Sequence, residues 1–555
     1  MIQLGISAFY HDSAACLVVD GKVIAAAEEE RFTGIKHDSS FPFNAINWCL
    51  RYTRTTLKAV DQVCWYENPE LKKDRVLTTF NKHFFKTLLL RYRYLRDYKK
   101  YNPETILRRG GFKGEIVYTD HHTSHAAFSL HTSPYENPAI LTVDGVGEWD
   151  TTAVYRSRNG KVQKMQSIKY PNSLGLVYST ITAYLGFKPN EGEYKIMGLA
   201  PYGNPDVYLG KLMSLVENTS NQFKLNTKPF SWEYSDKVMF NKNLFKALGI
   251  LPRFPEEPVT QEHKDLAAAL QKWYEYQFTK LLITAKNMSK SPNLCLGGGC
   301  AYNGVANALA YKYFDSVHIP FSPSDAGSAI GACLHHYKGE RKDNSNPYLG
   351  PDYKDIDIHK AINDFQEKWP DFITSFRLSD DLIVKKTAEL LSKQKIVAWF
   401  QGRMEFGARA LGNRSILAAP QDPKMREKLN YVIKKREGFR PFAPSVKADE
   451  ASKYFDLKEE VPYMNIVVQA KTKRIPSAVH IDNSARVHTV TPEQNERYYL
   501  LLDEIKRLTG SPILLNTSFN LKDQTITISP EQAISRFMKS NIDFLVINNH
   551  LIQKL

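Results

Sequence analysis

Apolar and polar positions alternate cleanly at the start of the chain. IQLGIS and CLVVD are apolar runs separated by the polar loop AFYHDSAA, and KVIAAAEE follows the Asp20-Gly21 turn. Runs of this length bounded by turn residues predict strands, and Asp-Gly between two of them predicts a hairpin. The design returns at ILTVDGVGEWDTTAVYR, where an apolar strand, a Gly-x-Gly turn and a second strand follow in order. We read this as duplication of one supersecondary unit; two unrelated hairpins are the plainer alternative. Further on, residues 173–203 predict a helix and then a glycine-punctuated turn region, and 261–288 an amphipathic helix. NLCLGGGCAYNGVANALA predicts a short strand, three glycines and a helix. Residues 338–352, polar and rich in Pro, Gly and Asn, predict a linker, which gives two domains, 1–345 and 346–555. Helix and strand patterns mix on both sides of it, so the fold class is α/β.

Chemistry is concentrated in a few of these stretches. In HHTSHAA, His121 and His125 stand four residues apart, which on a helix brings both imidazoles to one face. The strand ILTV then delivers Asp144 ahead of Gly145 and Gly147, whose bare backbone could approach a phosphate. Two imidazoles and a carboxylate form a set compatible with iron, manganese or zinc and poorly suited to magnesium alone. A His pair at this spacing is also common on surfaces and in satisfied cores. Gly297, Gly298 and Gly299 free backbone amides ahead of a helix, an anion cradle if not simply a tight turn. Asp325 lies in a loop opening a small-residue helix. In the second half, Arg403, Arg409 and Arg414 share one short loop, Lys434, Arg436 and Arg440 the next, and SPILLNTSFN ends in Asn516, Thr517, Ser518 and Asn520. Guanidinium forks at this density suit phosphate or carboxylate.

Composition narrows the ligand class. A chain of 555 residues exceeds one core, and 43% hydrophobic with 24% charged residues excludes disorder. Lys and Arg number 74 against 59 Asp and Glu, a net +15 that suggests anionic ligands such as nucleotides, phosphorylated substrates or nucleic acid without choosing among them. Part of that charge sits in 72–109, where Lys and Arg interleave with aromatics at helical spacing. We read a solvated helix face with a core side there, in preference to a nucleic-acid or membrane surface. The six cysteines form no CxxC pair and read as buried thiols in a reducing cytosol. No basic leader and no run of roughly 20 apolar residues is seen, so the expectation is a cytoplasmic protein without a membrane partner and with nucleic acid disfavoured.

GISAFYHDSAA, RFTGIKHDSSFP, HHTSHAA, TVDGVGEWDTT, GEYKIMGLAPYG, LGGGCAYNGVAN, SPSDAGSAIGA, GRMEFGARALGNRSIL, IKKREGFRPFAPS, HIDNSARVHTV and LLNTSFN follow one another over nearly the whole chain. In that order they resemble the O-carbamoyltransferases of the NodU/TobZ/CmcH type. The resemblance implies an N-terminal actin-like ATPase domain, similar to TsaD, and a C-terminal YrdC-like α/β domain. Carried over by motif, His121, His125, Asp144 and Asp325 match the metal ligands, typically of Fe(II). His11 and Lys36 match residues lining the transfer site. Lys195, Gly297, Gly298, Gly299 and Asn303, with Gly145 and Gly147, fall in nucleotide-site motifs. Arg409, Arg414, Lys434, Arg436, His480, Arg486, Asn516 and Ser518 lie in motifs that handle carbamoyl phosphate and ATP with Mg(II). Ala408 departs from the family, which commonly has Pro there; the loop should be slightly looser with Arg409 still in place.

The implied reaction has two steps. Carbamoyl phosphate and ATP give carbamoyl adenylate in the second domain, and the first transfers the carbamoyl group to a hydroxyl of a small-molecule acceptor such as a sugar, an antibiotic or another secondary metabolite. His11 is the expected general base, and a homodimer is compatible with the reading. A tRNA threonylcarbamoyl-type transferase would use the same two folds, but the motif set argues against it. A non-catalytic nucleotide-binding module would be expected to lose ligands that are all present. Segments 70–112 and 204–260 match no motif and are where acceptor contacts are expected.

Overall fold

A computed structural model of the chain describes residues 1–218 and 223–555. Residues 219–222, within the segment expected to touch the acceptor, lie outside the described residues. The chain divides into two units. One comprises Met1–Ile24, Ser39–Pro42 and Ile46–Ser345; the other comprises Ala25–Asp38, Phe43–Ala45 and Asn346–Leu555.

The first unit contains two five-stranded sheets of one design. Strands β1 (Ile2–Ser7), β2 (Ala14–Val19), β3 (Lys22–Glu28), β4 (Gln62–Trp65) and β5 (Glu115–Tyr118) lie in the order β3-β2-β1-β4-β5. Strands β6 (Ala139–Val143), β7 (Asp150–Arg158) and β8 (Lys161–Lys169) are followed by a separate two-stranded hairpin, β9 (Val216–Asn218) and β10 (Phe223–Leu225). With β11 (Asn293–Gly297) and β12 (Ser316–His318) they form the order β12-β11-β6-β7-β8. In each sheet the first strand pairs antiparallel with its hairpin partner on one side (Ile2 with Val19, Ala139 with Arg156) and parallel with a later strand on the other (Gln3 with Gln62, Ala139 with Leu294). The matching orders establish the duplication read from the two hairpins, the doubled-sheet architecture of actin-like ATPase folds. β6 is buried at every position, which is why it reads as an unbroken apolar run.

Two helices fix the site. His121–Thr132 is buried along almost its whole length, and Asp325–His336 crosses it closely. Small residues permit that approach: a Cβ on Gly331 would lie 1.9 Å from the Ser124 carbonyl oxygen. Gln261–Ser289 forms where the amphipathic pattern predicts, its start closed by a Thr260 N–H bond to His263 Nδ1 at 3.0 Å. Two local expectations fail. Glu193–Leu199 is helical, because EYKIMGL is rich in helix formers despite the flanking glycines. The helix expected after Gly299 shrinks to a 3-10 turn, Gly299–Tyr302, and the four-residue Gly304–Asn307.

The second unit is built on one eight-stranded mixed sheet. Its strands are β13 (Ile373–Arg377), β14 (Val397–Phe400), β15 (Arg414–Ala418), β16 (Ala443–Lys447), β19 (His488–Val490), β20 (Ile513–Ser518), β21 (Phe544–Ile547) and β22 (His550–Lys554), with β17 (Val467–Gln469) and β18 (Ser484–Arg486) paired separately. The sheet order is β13-β22-β21-β14-β15-β20-β16-β19. Side chains alternate across it: Ala398 and Phe400 of β14 enter a core with Ile358 and Phe537, Val397 and Trp399 one with Leu391 and Leu502. Two apolar layers over one sheet give the α/β class.

The expected linker is pinned rather than loose. Val23 N–H donates to Asn344 Oδ1 (2.9 Å) in the first unit, and Tyr348 O–H donates to the Leu411 carbonyl (2.8 Å) in the second. A single cut after residue 345 also misses the two N-terminal segments of the second unit, where Ala26 N–H donates to Leu349 O (3.1 Å) and Arg31 Nη2 to Gly407 O (2.9 Å). Among the described residues no helix is long and apolar enough to cross a membrane.

Candidate functional site

The first unit gathers opposite charges. The Glu148 carboxylate accepts the His121 backbone N–H (3.0 and 3.2 Å) and the Asn68 N–H (2.6 Å), satisfying a donor that a helix start leaves orphaned. From that first turn His121 and His125 bring their Nε2 atoms within 3.1 Å of each other. β6 hands Asp144 to the same point, its Oδ2 3.3 Å from His121 Nε2 and 2.9 Å from His125 Nε2. Asp325, first residue of its helix, places Oδ1 3.5 Å from both imidazoles. All four residues are buried, with ligand atoms within 4.8 Å of one another.

These separations fit a shared ion, since nitrogen and oxygen ligands about 2.1 Å from one centre stand roughly 3.0–3.4 Å apart. His125 Nδ1 lies 2.9 Å from Ser328 Oγ, which fixes the ring so that Nε2 faces the cluster. Asp325 Oδ2 has no hydrogen-bond partner among the described residues. The cluster can therefore hold a divalent metal. Without one, protons answer the carboxylates: burial lowers the His121 pKa, but Asp325 and Asp144 outweigh it and raise it to about 9. Burial likewise pushes the Asp144 carboxyl up, and its bonds to His121 and His125 hold it well below the usual range.

His11 stands in the field of this cluster. Its Nδ1 is 3.0 Å from Asp12 Oδ2; a carboxylate accepts, so Nδ1 carries the hydrogen and Nε2 is left for exchange. Burial lowers the His11 pKa, while Asp12, Asp325 and Asp144 together carry it up to about 10.

The glycines do other work than the sequence suggested. Gly145 N–H donates to Asp144 Oδ1 (2.6 Å) and Gly147 N–H to Asp150 O (2.8 Å), so both amides hold the turn and orient Asp144 instead of being offered to a phosphate. Gly298 adopts φ +87°, its N–H bonds to Pro323 O at 2.9 Å, and a Cβ there would lie 2.2 Å from Val143 O. A Cβ on Gly299 would lie 3.3 Å from Asp144 Oδ1 and one on Gly297 2.7 Å from Ser129 Oγ. The run is needed for β11 to close on the cluster, and no long helix follows to make it a dipole cradle. Asn303 is a buried cap: its Oδ1 accepts from Ala306 N–H (3.1 Å) and its amide pairs with Gln271. Lys195 is half-buried with Nζ 5.3 Å from the centre of the Phe187 ring.

The second unit gathers like charges. Burial, and then Arg409, Arg436 and Arg440, hold the Arg486 guanidinium well below its usual pKa. Lys434 is lowered too, by burial and then by Arg436, Arg440, Lys36 and Arg536. Its Nζ donates to Ser518 O (2.6 Å), Asn520 O (3.0 Å) and Asn520 Oδ1 (2.7 Å), where Ser518 O–H also donates (2.8 Å). Arg436 Nε donates to Asn430 Oδ1 (2.7 Å), and His480 Nε2 lies 3.1 Å from Phe439 O. Asn516 Nδ2 donates to Ser445 Oγ (3.1 Å), itself 2.8 Å from His488 Nδ1. Lys434 is buried and Arg409, Arg436, Arg440 and Arg486 are half-buried, and cations grouped in this way favour an anion.

One expected member moves. Arg414 is fully buried and bonds the carbonyls of Gln401, Asn413, Pro351 and Gly402 while stacking 3.6 Å over Phe400, so it clamps loops together. Burial lowers its pKa to about 10. Lys36 lies in a segment grouped with the second unit, among the cations that lower Lys434. Glu148, Ser328 and Ser445 were missed; each acts on a residue more than 20 positions away, and no local spacing marks them.

The comparisons agree with this two-part design. The family described as Carbamoyltransferase N-terminus matches residues 2–334, and that described as Carbamoyltransferase C-terminus matches 388–554. An uncharacterized protein of Synechocystis is 39% identical over 99% of this chain and 96% of its own length. Nodulation protein NolNO of Sinorhizobium fredii is 32% identical over 98% of this chain and 79% of its own. The 3'-hydroxymethylcephem-O-carbamoyltransferase of Amycolatopsis lactamdurans is 29% identical over 76% and 77%. With matches in both units, the chain belongs to the carbamoyltransferase family and is an enzyme of carbamoyl-group transfer.

Proposed function

We propose that the protein is an ATP-dependent O-carbamoyltransferase that works in two steps. In the second unit water displaces phosphate from carbamoyl phosphate, the carbamate oxygen this leaves attacks the α-phosphorus of ATP, and pyrophosphate leaves. Arg409, Arg436 and Arg486 neutralise the phosphates, with Mg(II) accompanying the nucleotide. Lys434 holds the Ser518–Asn520 turn against them, and Asn516 and His480 line the same region.

In the first unit an acceptor hydroxyl attacks the carbamoyl carbon and AMP leaves. His121, His125, Asp144 and Asp325 would hold a divalent ion, Fe(II) by the resemblance, and when bound it would supply Lewis-acid stabilisation of the adenylate phosphate. Engagement of Asp144 and Asp325 by an ion would remove part of the field that raises the His11 ring, leaving Asp12 as its main acidic neighbour. Asp12 retains the Nδ1 hydrogen, and Nε2 takes the proton of the hydroxyl. Lys195, on the helix that follows the glycine-flanked turn, supplies a cation for the departing nucleotide.

The observation that carries this reading is the pair of buried clusters with opposite electrostatic demand in one carbamoyltransferase chain. The acceptor we assign is a hydroxyl-bearing small molecule, as in the cephem-modifying relative. Incubating the protein with ATP and labelled carbamoyl phosphate without acceptor tests the first step. Carbamoyl adenylate and pyrophosphate are expected; if neither forms, the chain is a nucleotide-binding module without this chemistry.

A further inference from the structure

The helix Phe84–Lys100 turns its largest apolar side chains to solvent. Phe85, Leu88, Leu89 and Tyr92 recur at helical spacing on one face and are 90, 52, 69 and 66% exposed. The opposite face packs on the helix Pro69–Lys82: Thr87 is buried and bonds the Phe80 carbonyl (2.8 Å), and the Tyr94 ring meets Phe80 edge-on at 6.2 Å. The solvated face expected for this stretch is thus the apolar one. A contiguous face of this kind leaves a large hydrophobic penalty unless something covers it.

Charge identifies the cover. Lys86, Arg93, Arg96 and Lys100 edge the apolar face, with Asp97 the sole acid of the helix, in a chain of net charge +15. Arg93 pairs with Asp236 (3.0 Å) and Arg96 with Asp97 (2.8 Å), but exposed pairs are weak and yield to a denser negative surface. A second copy laid helix on helix would set these cations against their own kind, a like-charge contact that disfavours association. A layer of anionic headgroups over an acyl boundary answers both the cations and the apolar face.

We propose that Phe84–Lys100 lies in the plane of an anionic membrane surface, with Phe85, Leu88, Leu89 and Tyr92 in the acyl boundary and the flanking cations on lipid phosphates. The helix rests on the surface and does not cross it. The hairpin is rooted beside the metal cluster: Asn68 N–H donates to Glu148, and Trp149 Nε1 donates to Asp74 Oδ2 at 3.1 Å. Attachment at the hairpin is therefore attachment of the first unit. This inference stands apart from the proposed reaction.

Flotation of the full chain with vesicles of phosphatidylcholine alone or mixed with phosphatidylglycerol tests it. Binding is expected to the anionic vesicles, to weaken with salt, and to fall by at least about tenfold in Phe85→Ser/Leu89→Ser. Arg96→Glu/Lys100→Glu keeps the apolar face and should lose anionic selectivity, which guards against misfolding of the first variant. Failure of the unaltered chain to float overturns the proposal, as does equal binding to both vesicle types. It is also overturned if the apolar face proves to be a self-interface, seen as a dimer in sedimentation that Phe85→Ser/Leu89→Ser disperses while vesicle binding is absent.

Discussion

The two buried clusters solve one problem with opposite signs. In the first unit two carboxylates meet two imidazoles, and where no ion is bound shared protons settle the charge, so His121 is raised and Asp144 lowered. In the second unit burial lowers Arg486 and Lys434, and the cations they face lower both further. The first sets carboxylates against imidazoles; in the second Arg440 meets Glu437 (3.4 Å), while Arg486 and Lys434 are set among cations. Burial disfavours the charged form in both clusters; the sign of the neighbours decides whether that effect is overturned or reinforced.

Breaking one cluster at a time should separate the two activities. The largest effect is expected for Asp144→Asn, which removes a ligand and the partner of both imidazoles: carbamoyl transfer should fall at least about a thousandfold, and metal analysis should find the ion lost. Arg486→Met should cut adenylate formation roughly a hundredfold or more with bound metal unchanged. Because it also removes like-charge repulsion, its thermal midpoint should not drop. Ser328→Ala frees the His125 ring and should weaken metal binding about 10–100-fold, read by titration with a competing chelator.

Two further changes sharpen the distinction between ligand and clamp. Arg414→Met abandons several buried carbonyls and should cost roughly 2–4 kcal/mol in urea unfolding without altering the nucleotide KM. His488 is lowered to about 3 by burial, against an ordinary value near 6.5 once unfolded. The unfolded chain then binds the proton first, so stability is full above pH 6.5 and is lost as pH falls toward 3. Relative to His488→Gln, the unaltered protein should lose roughly 1 kcal/mol on going to pH 5.5.

The doubled sheet was legible because strands buried on both faces read as unbroken apolar runs. His121, His125 and Asp144 were legible because helical spacing and a strand end are local signals. Asp325 came only from the resemblance, since its arrival depends on the close helix crossing that Gly331 allows. Arg414 was misplaced because residue type cannot distinguish a guanidinium that meets carbonyls from one that meets a ligand. The face of Phe84–Lys100 was inverted because its tyrosines and leucines divide between both sides of the helix, so a periodic pattern gives two faces without saying which is inside.

The most direct test is pyrophosphate release from ATP and carbamoyl phosphate, without acceptor, by the unaltered chain, Asp144→Asn and Arg486→Met. Two clusters with separate tasks predict near-normal release from Asp144→Asn, which keeps the cationic cluster, and little from Arg486→Met. Equal loss in both variants would contradict the division of labour.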